Sequence, residues 1–249
     1  MASSVHWPNE RFPADGNSLS SPVVRVHYQE PVASRRLAEA IRFSLLEMGL
    51  ARQPWTVVCV GTDRSTGDAL GPLVGDYLRR YAPPQLRVFG TLELPVHATN
   101  LVEVLGHLEE ASGHAVIAVD ACLGQASHVG TVSLRLGPLH PGTGVNKNLP
   151  PVGDIHLVGV VNVGGFMEYF VLQNTRLHLV ARMAEVIGMA LLEAAGVGFE
   201  GSWAGAERGE PSLSGSVRSL PGVATLEAAG GQDLAWPGSV PPRQSAGTP

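Results

Sequence analysis

Two aspartates stand where this sequence could most readily build a reactive site. Asp120 directly follows five apolar residues, 115–119, that have the character of a buried strand. Asp68 comes at the start of a predicted helix, after a polar turn over residues 61–67 that contains glycine. A carboxylate at the end of a buried strand is partly desolvated, which disfavours its charged form. Two such carboxylates in one crevice could share a proton and activate a water molecule, one as general base and one as general acid.

The same two carboxylates allow other interpretations. Together with His97 they could ligate a divalent metal ion, because carboxylate and imidazole are common ligands of such ions. Asp68 could instead stabilise the dipole of the helix that it begins, by ~1 kcal/mol. Asp120 could be a capped carboxylate with a purely structural role. The spacing of the residues does not decide between these alternatives.

A nucleotide site is excluded at the loop before Asp68. A phosphate-binding loop needs Lys and then Ser or Thr after its last glycine, whereas Gly67 is followed by Asp68. The Asp68 charge would repel a phosphate at the start of the helix. The spacing of Gly61, Gly67 and Gly71 also differs from that of a dinucleotide-binding fingerprint.

The two cysteines, Cys59 and Cys122, lie in apolar, strand-like runs, which predicts reduced and buried thiols. Cys122 lies two residues after Asp120 and could act as a nucleophile, but the sequence offers no His or Asn partner for it. Two segments rich in glycine, 137–154 and 162–165, predict irregular loops of the kind that shape a site.

The elements that must position these residues alternate between strands and helices. Predicted strands cover residues 23–27, 56–60, 86–89, 115–119, 131–136 and 155–161, and predicted helices cover 34–49, 68–81, 98–110 and 171–195. This order predicts the α/β class, as a three-layer α/β/α sandwich with a mostly parallel sheet. The close succession of strands after Asp120 predicts an antiparallel or edge addition. Sites in such sheets lie at the carboxyl ends of the strands, so we expect Asp68 and Asp120 to meet there.

The composition limits the class of protein and the kinds of partner that it can bind. The 249 residues are 44% hydrophobic and 16% charged, which is the balance of a globular chain. A net charge of −5 without a cluster of Lys and Arg excludes broad nucleic-acid binding. No apolar run approaches the ~20 residues of a membrane span, and the first residues lack the features of a signal peptide. We therefore expect a cytoplasmic protein without a membrane partner.

Composition also divides the chain into three parts. Residues 1–21 mix Pro, Asn, Ser and Gly without periodicity and predict a flexible leader. Residues 201–249 are rich in Gly, Pro and Ser and predict a disordered tail. The α/β domain is thus expected over residues 22–200.

Several segments in order closely resemble the YyaC family of sporulation proteins, over about residues 23–195. They are Gly61-Thr62-Asp63-Arg64-Ser65-Thr66-Gly67-Asp68-Ala69-Leu70-Gly71-Pro72, Val119-Asp120-Ala121-Cys122-Leu123-Gly124, Pro141-Gly142-Thr143-Gly144-Val145-Asn146-Lys147 and Val161-Asn162-Val163-Gly164-Gly165-Phe166-Met167-Glu168. The family in turn looks like a relative of the spore germination protease and, more distantly, of the hydrogenase maturation endopeptidases. That likeness implies a fold of the hydrogenase-maturation-protease and germination-protease type.

The resemblance also implies site residues. Residues 68–72 are similar to an Asp-Ala-Leu-Gly-Pro motif of the germination protease, and Asp120-Ala121 is similar to its Ile-Asp-Ala motif. These are the two places where that protease carries its essential aspartates. In the hydrogenase enzymes, acidic residues at the positions like Asp68 and Asp120 recognise nickel with a later His, for which this chain shows no plain match.

The sequence therefore predicts a sporulation-associated peptidase that hydrolyses peptide bonds with Asp68 and Asp120, in the cytoplasm of a sporulating bacterial cell or its forespore. Residues expected to line the cleft and bind a peptide or protein substrate are Asp63, Arg64, Thr66, His97, Asn146, Lys147 and Asn162. No cofactor is expected unless Asp68, Asp120 and His97 hold a divalent metal. The protein could also form a homo-oligomer. The alternatives are a non-catalytic sporulation factor that uses the cleft to bind a peptide or partner, and a metal-dependent, nickel-recognising endopeptidase.

Overall fold

A computed structural model describes residues 22–81, 86–109, 113–141 and 149–196, which belong to one compact unit. Its centre is a six-stranded sheet with the order β1-β5-β6-β4-β2-β3. The strands are β1 (Val24–His27), β2 (Trp55–Cys59), β3 (Leu86–Phe89), β4 (Ala115–Gly124), β5 (Thr131–Leu136) and β6 (Ile155–Val163). The helices are α1 (Ala33–Glu47), α2 (Leu70–Tyr81), α3 (Leu101–Glu109), α4 (Glu168–Gln173) and α5 (Leu177–Ala194), with a short 3-10 helix at Ala126–His128.

The direction of each strand follows from the length of its connections. Strands β3, β2, β4 and β6 are parallel neighbours, joined by connections that are long enough for a helix. The link from β4 to β5 is only a short turn, so the chain reverses, and β5 pairs antiparallel with both β6 and β1. The predicted α/β class, with its mostly parallel sheet and an antiparallel addition after Asp120, is confirmed.

Helices pack against both faces of the sheet through buried apolar side chains. Helices α1, α2 and α5 cover one face, where Leu37, Leu78 and Ile187 are fully buried. Helix α3 covers part of the other face through Leu101 and Leu105. The result is the predicted arrangement of helices on either side of a sheet. Within the described ranges, no helix is long and apolar enough to cross a membrane.

Two predicted elements need correction. Strand β4 does not end at residue 119 but continues to Gly124, so Asp120 lies within the strand, opposite Val158 of β6. Backbone pairing requires no apolar side chain, so the strand outlasts the apolar run that predicted it. The predicted helix 171–195 is two helices, because the chain breaks at Thr175, a buried residue whose hydroxyl donates to the Val171 carbonyl at 2.9 Å.

The helix boundaries otherwise lie close to those predicted, and α2 begins at Leu70, two residues after Asp68. The predicted leader and tail, at residues 1–21 and 201–249, lie outside the described residues. The same is true of Asn146 and Lys147 in the loop after Pro141.

Candidate functional site

Asp120 occupies a position where the sheet changes from apolar to polar. The five residues of β4 before it are buried, while Asp120 and the residues after it are partly exposed. Val116 and Ala118 belong to the apolar cluster under α3, so by the alternation of the strand Asp120 lies on the same face, just beyond that cluster. Its Oδ1 accepts a hydrogen bond from the backbone N–H of Ala121 at 2.8 Å.

The loop between β2 and α2 brings Asp68 to the same end of the sheet. The Val60 N–H donates to the carbonyl of Val119 at 2.7 Å, which sets the start of this loop beside Asp120. The carbonyl of Asp68 folds back to accept from Thr62 N–H at 3.1 Å. A Cβ on Gly61 would lie 2.0 Å from that carbonyl oxygen, so the tight turn requires glycine, which also has a φ of 150°.

Both carboxyl groups have raised pKa values, and the charge of Asp68 contributes to the shift of Asp120. Burial raises the pKa of Asp120 to about 7, and the negative charge of Asp68 adds to this effect, while the Ala121 N–H opposes it. Burial also raises the pKa of Asp68. The buried hydroxyl of Ser65 opposes that second shift, although its Oγ lies outside direct hydrogen-bond geometry with any described group. The pair therefore favours holding a proton at a pH where an ordinary aspartate has lost it.

Cys122, on the same face of β4, does not have the properties of a nucleophile. Burial and the Asp120 charge raise its pKa to about 11, against the opposing effect of Arg135 and Arg25. Its thiol is therefore protonated at neutral pH, whereas the reactive form of cysteine is the thiolate. Cys59 is fully buried, and its pKa is also raised by burial. Both cysteines are free, as the sequence predicts, but Cys122 is half-buried and not buried as predicted, because β4 leaves the apolar core at Asp120.

Helix α4 is fastened to the loop that carries Asp68. The Gly67 N–H donates to the Leu172 carbonyl at 2.8 Å, and a Cβ on Gly67 would lie 2.7 Å from Leu172 Cδ2. Asn162 secures the same helix from β6, because its Nδ2 donates to the Val171 carbonyl at 3.3 Å and to Thr175 Oγ1 at 3.2 Å. Asn162, predicted to line the cleft, therefore has a positioning contact with α4.

Residues 166–173, called the α4 segment below, carry aromatic side chains that are exposed to solvent. Phe166 is 90% exposed, Tyr169 is 65% exposed and Phe170 is 54% exposed. Met167, just before α4, has a φ of 58° and is the only non-glycine with positive φ among the described residues. Aromatic side chains thus border the site on a firmly anchored segment. The predicted long helix over residues 171–195 gives no sign of them, because Phe166, Tyr169 and Phe170 all precede it.

The other predicted cleft residues of the Asp68 loop divide by exposure. Asp63 and Arg64 are exposed and Thr66 is half-buried. His97 follows Val96, whose carbonyl accepts from Gly61 N–H at 2.8 Å, so it lies at the same end of the sheet. Its Nδ1 is 2.8 Å from the Thr99 hydroxyl.

No metal site emerges from these side chains. Among the described residues, no three His, Cys, Asp or Glu side chains come together in a group that could hold a metal ion, so His97 does not form such a group with Asp68 and Asp120.

Two further half-buried titratable groups on this part of the sheet have structural contacts. Asp154 Oδ2 accepts from the Val116 N–H at 2.8 Å, and burial raises the pKa of Asp154 against the effect of that hydrogen bond. His156 Nδ1 donates to the Gly137 carbonyl at 2.8 Å, and burial lowers its pKa. Both groups join strand ends to neighbouring segments, which sets them apart from Asp120.

The match to a family model covers most of the described fold. The model described as protein of unknown function (DUF1256) matches residues 25–190. Over 167 residues the chain is 48% identical to uncharacterized protein YyaC of Bacillus subtilis (strain 168), covering 67% of this chain and 80% of that protein. The chain belongs to this family. The matched region contains both Asp68 and Asp120, and the predicted membership of the YyaC family is confirmed.

Two solved structures are similar over a smaller share of the chain. One is a NiFe hydrogenase maturation protease, HycI, from Thermococcus kodakarensis KOD1, which is 19% identical with a TM-score of 0.42, covering 61% of this chain and 98% of that chain. The other is an uncharacterized protein from Wolinella succinogenes, 16% identical with a TM-score of 0.38, covering 57% of this chain and 97% of that chain.

Proposed function

We propose that this protein is a peptidase whose reacting groups are the carboxyl groups of Asp68 and Asp120. The observation that carries the proposal is the position of two partly buried carboxylates at one end of the sheet, where burial, with a further contribution from the charge of Asp68, raises the pKa of Asp120 to about 7. A buried acid pair with one shared proton is the arrangement used by hydrolases that activate water without a covalent intermediate. The similarity of residues 68–72 and 120–121 to the germination protease motifs supports the same assignment.

The proposed reaction needs one proton on the pair. The unprotonated carboxylate accepts a proton from a water molecule, whose oxygen attacks the carbonyl carbon of the scissile peptide bond. The protonated carboxyl group donates its proton to the substrate, first to the carbonyl oxygen. The leaving amine takes up a proton as the C–N bond breaks, and the net change is the addition of one water. We assign the donor role to Asp120, because its pKa is raised to about 7.

The surroundings of the pair favour a peptide or protein as the substrate. Phe166, Tyr169 and Phe170 are exposed on a segment that is hydrogen-bonded to the Asp68 loop. Exposed aromatic side chains are typical of surfaces that bind protein segments. The resemblance to sporulation proteins leads us to propose that the substrate is a protein of the sporulating cell, hydrolysed in the cytoplasm or the forespore.

The decisive experiment incubates the purified full-length protein with a spore protein extract and identifies new peptide termini by mass spectrometry. We expect cleavage by the wild type and by Glu47→Gln, which makes the same change from carboxylate to amide at an exposed residue of α1. Asp68→Asn and Asp120→Asn should be folded and inactive. Absence of cleavage by the folded wild type between pH 5 and 8, or equal cleavage by all four proteins, would overturn the proposal. Loss of cleavage on adding EDTA would favour the metal-dependent alternative instead.

A non-catalytic binding factor is the second candidate, and the exposed aromatic residues of the α4 segment favour it. Such a factor would retain its partner regardless of the charge at residue 120. Capture of the same spore protein by wild type and Asp120→Asn, with no cleavage by either, would support this candidate over the peptidase.

A further inference from the structure

We propose that the face of the sheet beside Asp120 contains a subsite for a carboxylate group of the peptide, bound by Arg25 and Arg135. This inference rests on the proposed function, because it assigns the substrate class of the same site. The carboxylate could belong to an Asp or Glu side chain or to the C-terminus of the peptide, and the experiment below separates these sources.

The register of four strands aligns the first arginine with Asp120. Arg25 of β1 pairs with Ser133 of β5, Ser133 pairs with Val158 of β6, and Val158 pairs with Asp120 of β4. Residues that are directly opposite across a sheet project from the same face. Arg25 and Asp120 therefore stand in one row on one face, three strands apart.

The second arginine extends this row. Arg135 lies two residues along β5 from Ser133 and therefore on the same face, where it pairs with His156 of β6. The arginines lie on the two strands at the β1 edge, and Asp120 lies on the fourth strand inward. The basic side chains and Asp120 thus lie on the same face of the sheet.

The apolar cluster under α3 does not extend to this part of the face. The apolar cluster under α3 includes residues of β2 and β4, such as Val58 and Val116, but none of β1 or β5. Arg25 is exposed, and Arg135 and Val158 are half-buried. An extended peptide lying across the strands from Asp120 toward β1 would meet these side chains.

The conformation of Arg25 suits it to bind an anion. Its Nε donates to Ser133 Oγ at 3.1 Å, and its Nη1 lies 3.2 Å from His128 Nε2. Ser133 is buried and lies on the next strand of the row. Its hydrogen bond therefore holds the guanidinium toward Asp120. These two contacts engage at most two of the five N–H groups of the guanidinium. The remaining groups include a pair that can hold a carboxylate in a bidentate manner.

The charges of the two arginines act on β4, the strand that carries Asp120. Both act electrostatically on Cys122, two residues after Asp120. The acid pair itself carries negative charge, which would repel an acidic substrate if nothing balanced it. The positive groups on the same face supply that balance and favour a peptide with a negative group displaced from the scissile bond.

The spacing of the strands predicts where that negative group lies. Adjacent strands are about 4.8 Å apart, so the backbones of β5 and β1 are about 10 and 14 Å from Asp120. An extended peptide spans about 3.4 Å per residue. The carboxylate is therefore expected about three to four residues from the bond that is cleaved.

The test measures binding apart from hydrolysis. The background is Asp120→Asn in the full-length protein, and the probes are fluorescein-labelled heptapeptide libraries with Glu or Gln fixed at one position, each as a free acid or a C-terminal amide. We expect Glu libraries to bind at least tenfold more tightly than Gln libraries, as read by fluorescence anisotropy. If the free-acid form alone confers the advantage, the recognised carboxylate is the C-terminus.

The arginine variants then locate the effect. Arg25→Gln and Arg135→Gln should each remove most of the Glu preference, whereas Arg80→Gln, an exposed arginine of α2, should preserve it. Arg25→Lys keeps the charge but lacks the bidentate fork, so it should restore only part of the preference. Equal binding of all libraries, or an equal loss with Arg80→Gln, would overturn the subsite.

Hydrolysis by the wild type separates this inference from the proposed function. Cleavage without acidic residues enriched three to four positions from the cleaved bond would refute the subsite and leave the peptidase intact. Arginine-dependent binding of carboxylate peptides without any cleavage would refute the peptidase and leave the subsite intact. If both hold, Arg25→Gln should raise KM for acidic peptides with little change in kcat.

Discussion

Replacing Asp120 with Asn removes a carboxylate that is more costly to ionise in the folded protein than in the unfolded chain. Its pKa is about 7 in the folded state and 3.8 as a reference value, so the folded state binds the proton more tightly. By linkage, the free energy of unfolding falls as the pH rises from about 4 to about 7, and the full cost remains above that range. The Asn side chain keeps an oxygen acceptor for the Ala121 N–H, which Asp120 Oδ1 accepts at 2.8 Å.

The size of the effect follows from the shift in pKa. At about 1.4 kcal/mol per unit, the cost of the charged Asp120 approaches an upper limit of about 4 kcal/mol at pH 8. Solvent reaches the half-buried side chain and reduces this, so we expect Asp120→Asn to stabilise the fold by about 2–3 kcal/mol at pH 8. At pH 4.5 the folded wild type keeps Asp120 protonated, and the gain should shrink to about 1 kcal/mol or less.

Thermal unfolding followed by circular dichroism at pH 4.5, 6 and 8 measures this gain. A change of 1 kcal/mol corresponds to about 2–4 °C in Tm at this chain length, so the variant should melt about 4–12 °C higher at pH 8. Asp63→Asn is the matched control, because the Asp63 side chain is exposed and its replacement should leave Tm nearly unchanged at every pH. A lower Tm for Asp120→Asn at pH 8, or a gain that does not depend on pH, would refute the desolvation argument.

The remaining predictions concern the contacts around the pair. Asp68→Asn should lower the pKa of Asp120, measured by carboxyl carbon NMR, because it removes a neighbouring charge; an unchanged titration would show that the two groups do not interact. Gly61→Ala should destabilise the fold by about 2 kcal/mol or more, because its Cβ meets the Asp68 carbonyl, whereas Gly106→Ala in α3 meets no atom within 4 Å and should be neutral or slightly stabilising in the same melting assay. Cys122 should react slowly with iodoacetamide at pH 7.5 and faster toward pH 11, because its thiol has a pKa of about 11; rapid alkylation at neutral pH would contradict this.

The sequence predicted the strands and the end of the sheet at which Asp68 and Asp120 lie, because buried strands and their turns leave strong local patterns. The apolar run of β4 identified the strand, although not its continuation through Asp120 to Gly124. That continuation depends on backbone pairing with β6, a partner distant in sequence. Local pattern contains no information about such pairing.

The parts of the site that the sequence did not reveal depend on tertiary contacts. The break at Thr175 arises from hydrogen bonds to Val171 and Asn162, and it turns one predicted helix into two. The break lets α4 rest on the Asp68 loop and expose its aromatic side chains. The row that joins Arg25 to Asp120 depends on the register of four strands, and single-strand patterns do not contain it.

Asp120 differs from the other half-buried carboxylate, Asp154, in what its hydrogen bond contributes to the fold, and we therefore assign Asp120 to chemistry. Burial raises the pKa of both groups. Asp154 accepts a hydrogen bond from Val116 on a neighbouring strand, so its carboxylate joins segments that are distant in sequence. Asp120 accepts from the adjacent Ala121, and another carboxylate opposes its ionisation. A desolvated charge whose contacts add little to the fold is a cost to stability, and such costs concentrate at sites where the charge itself is used.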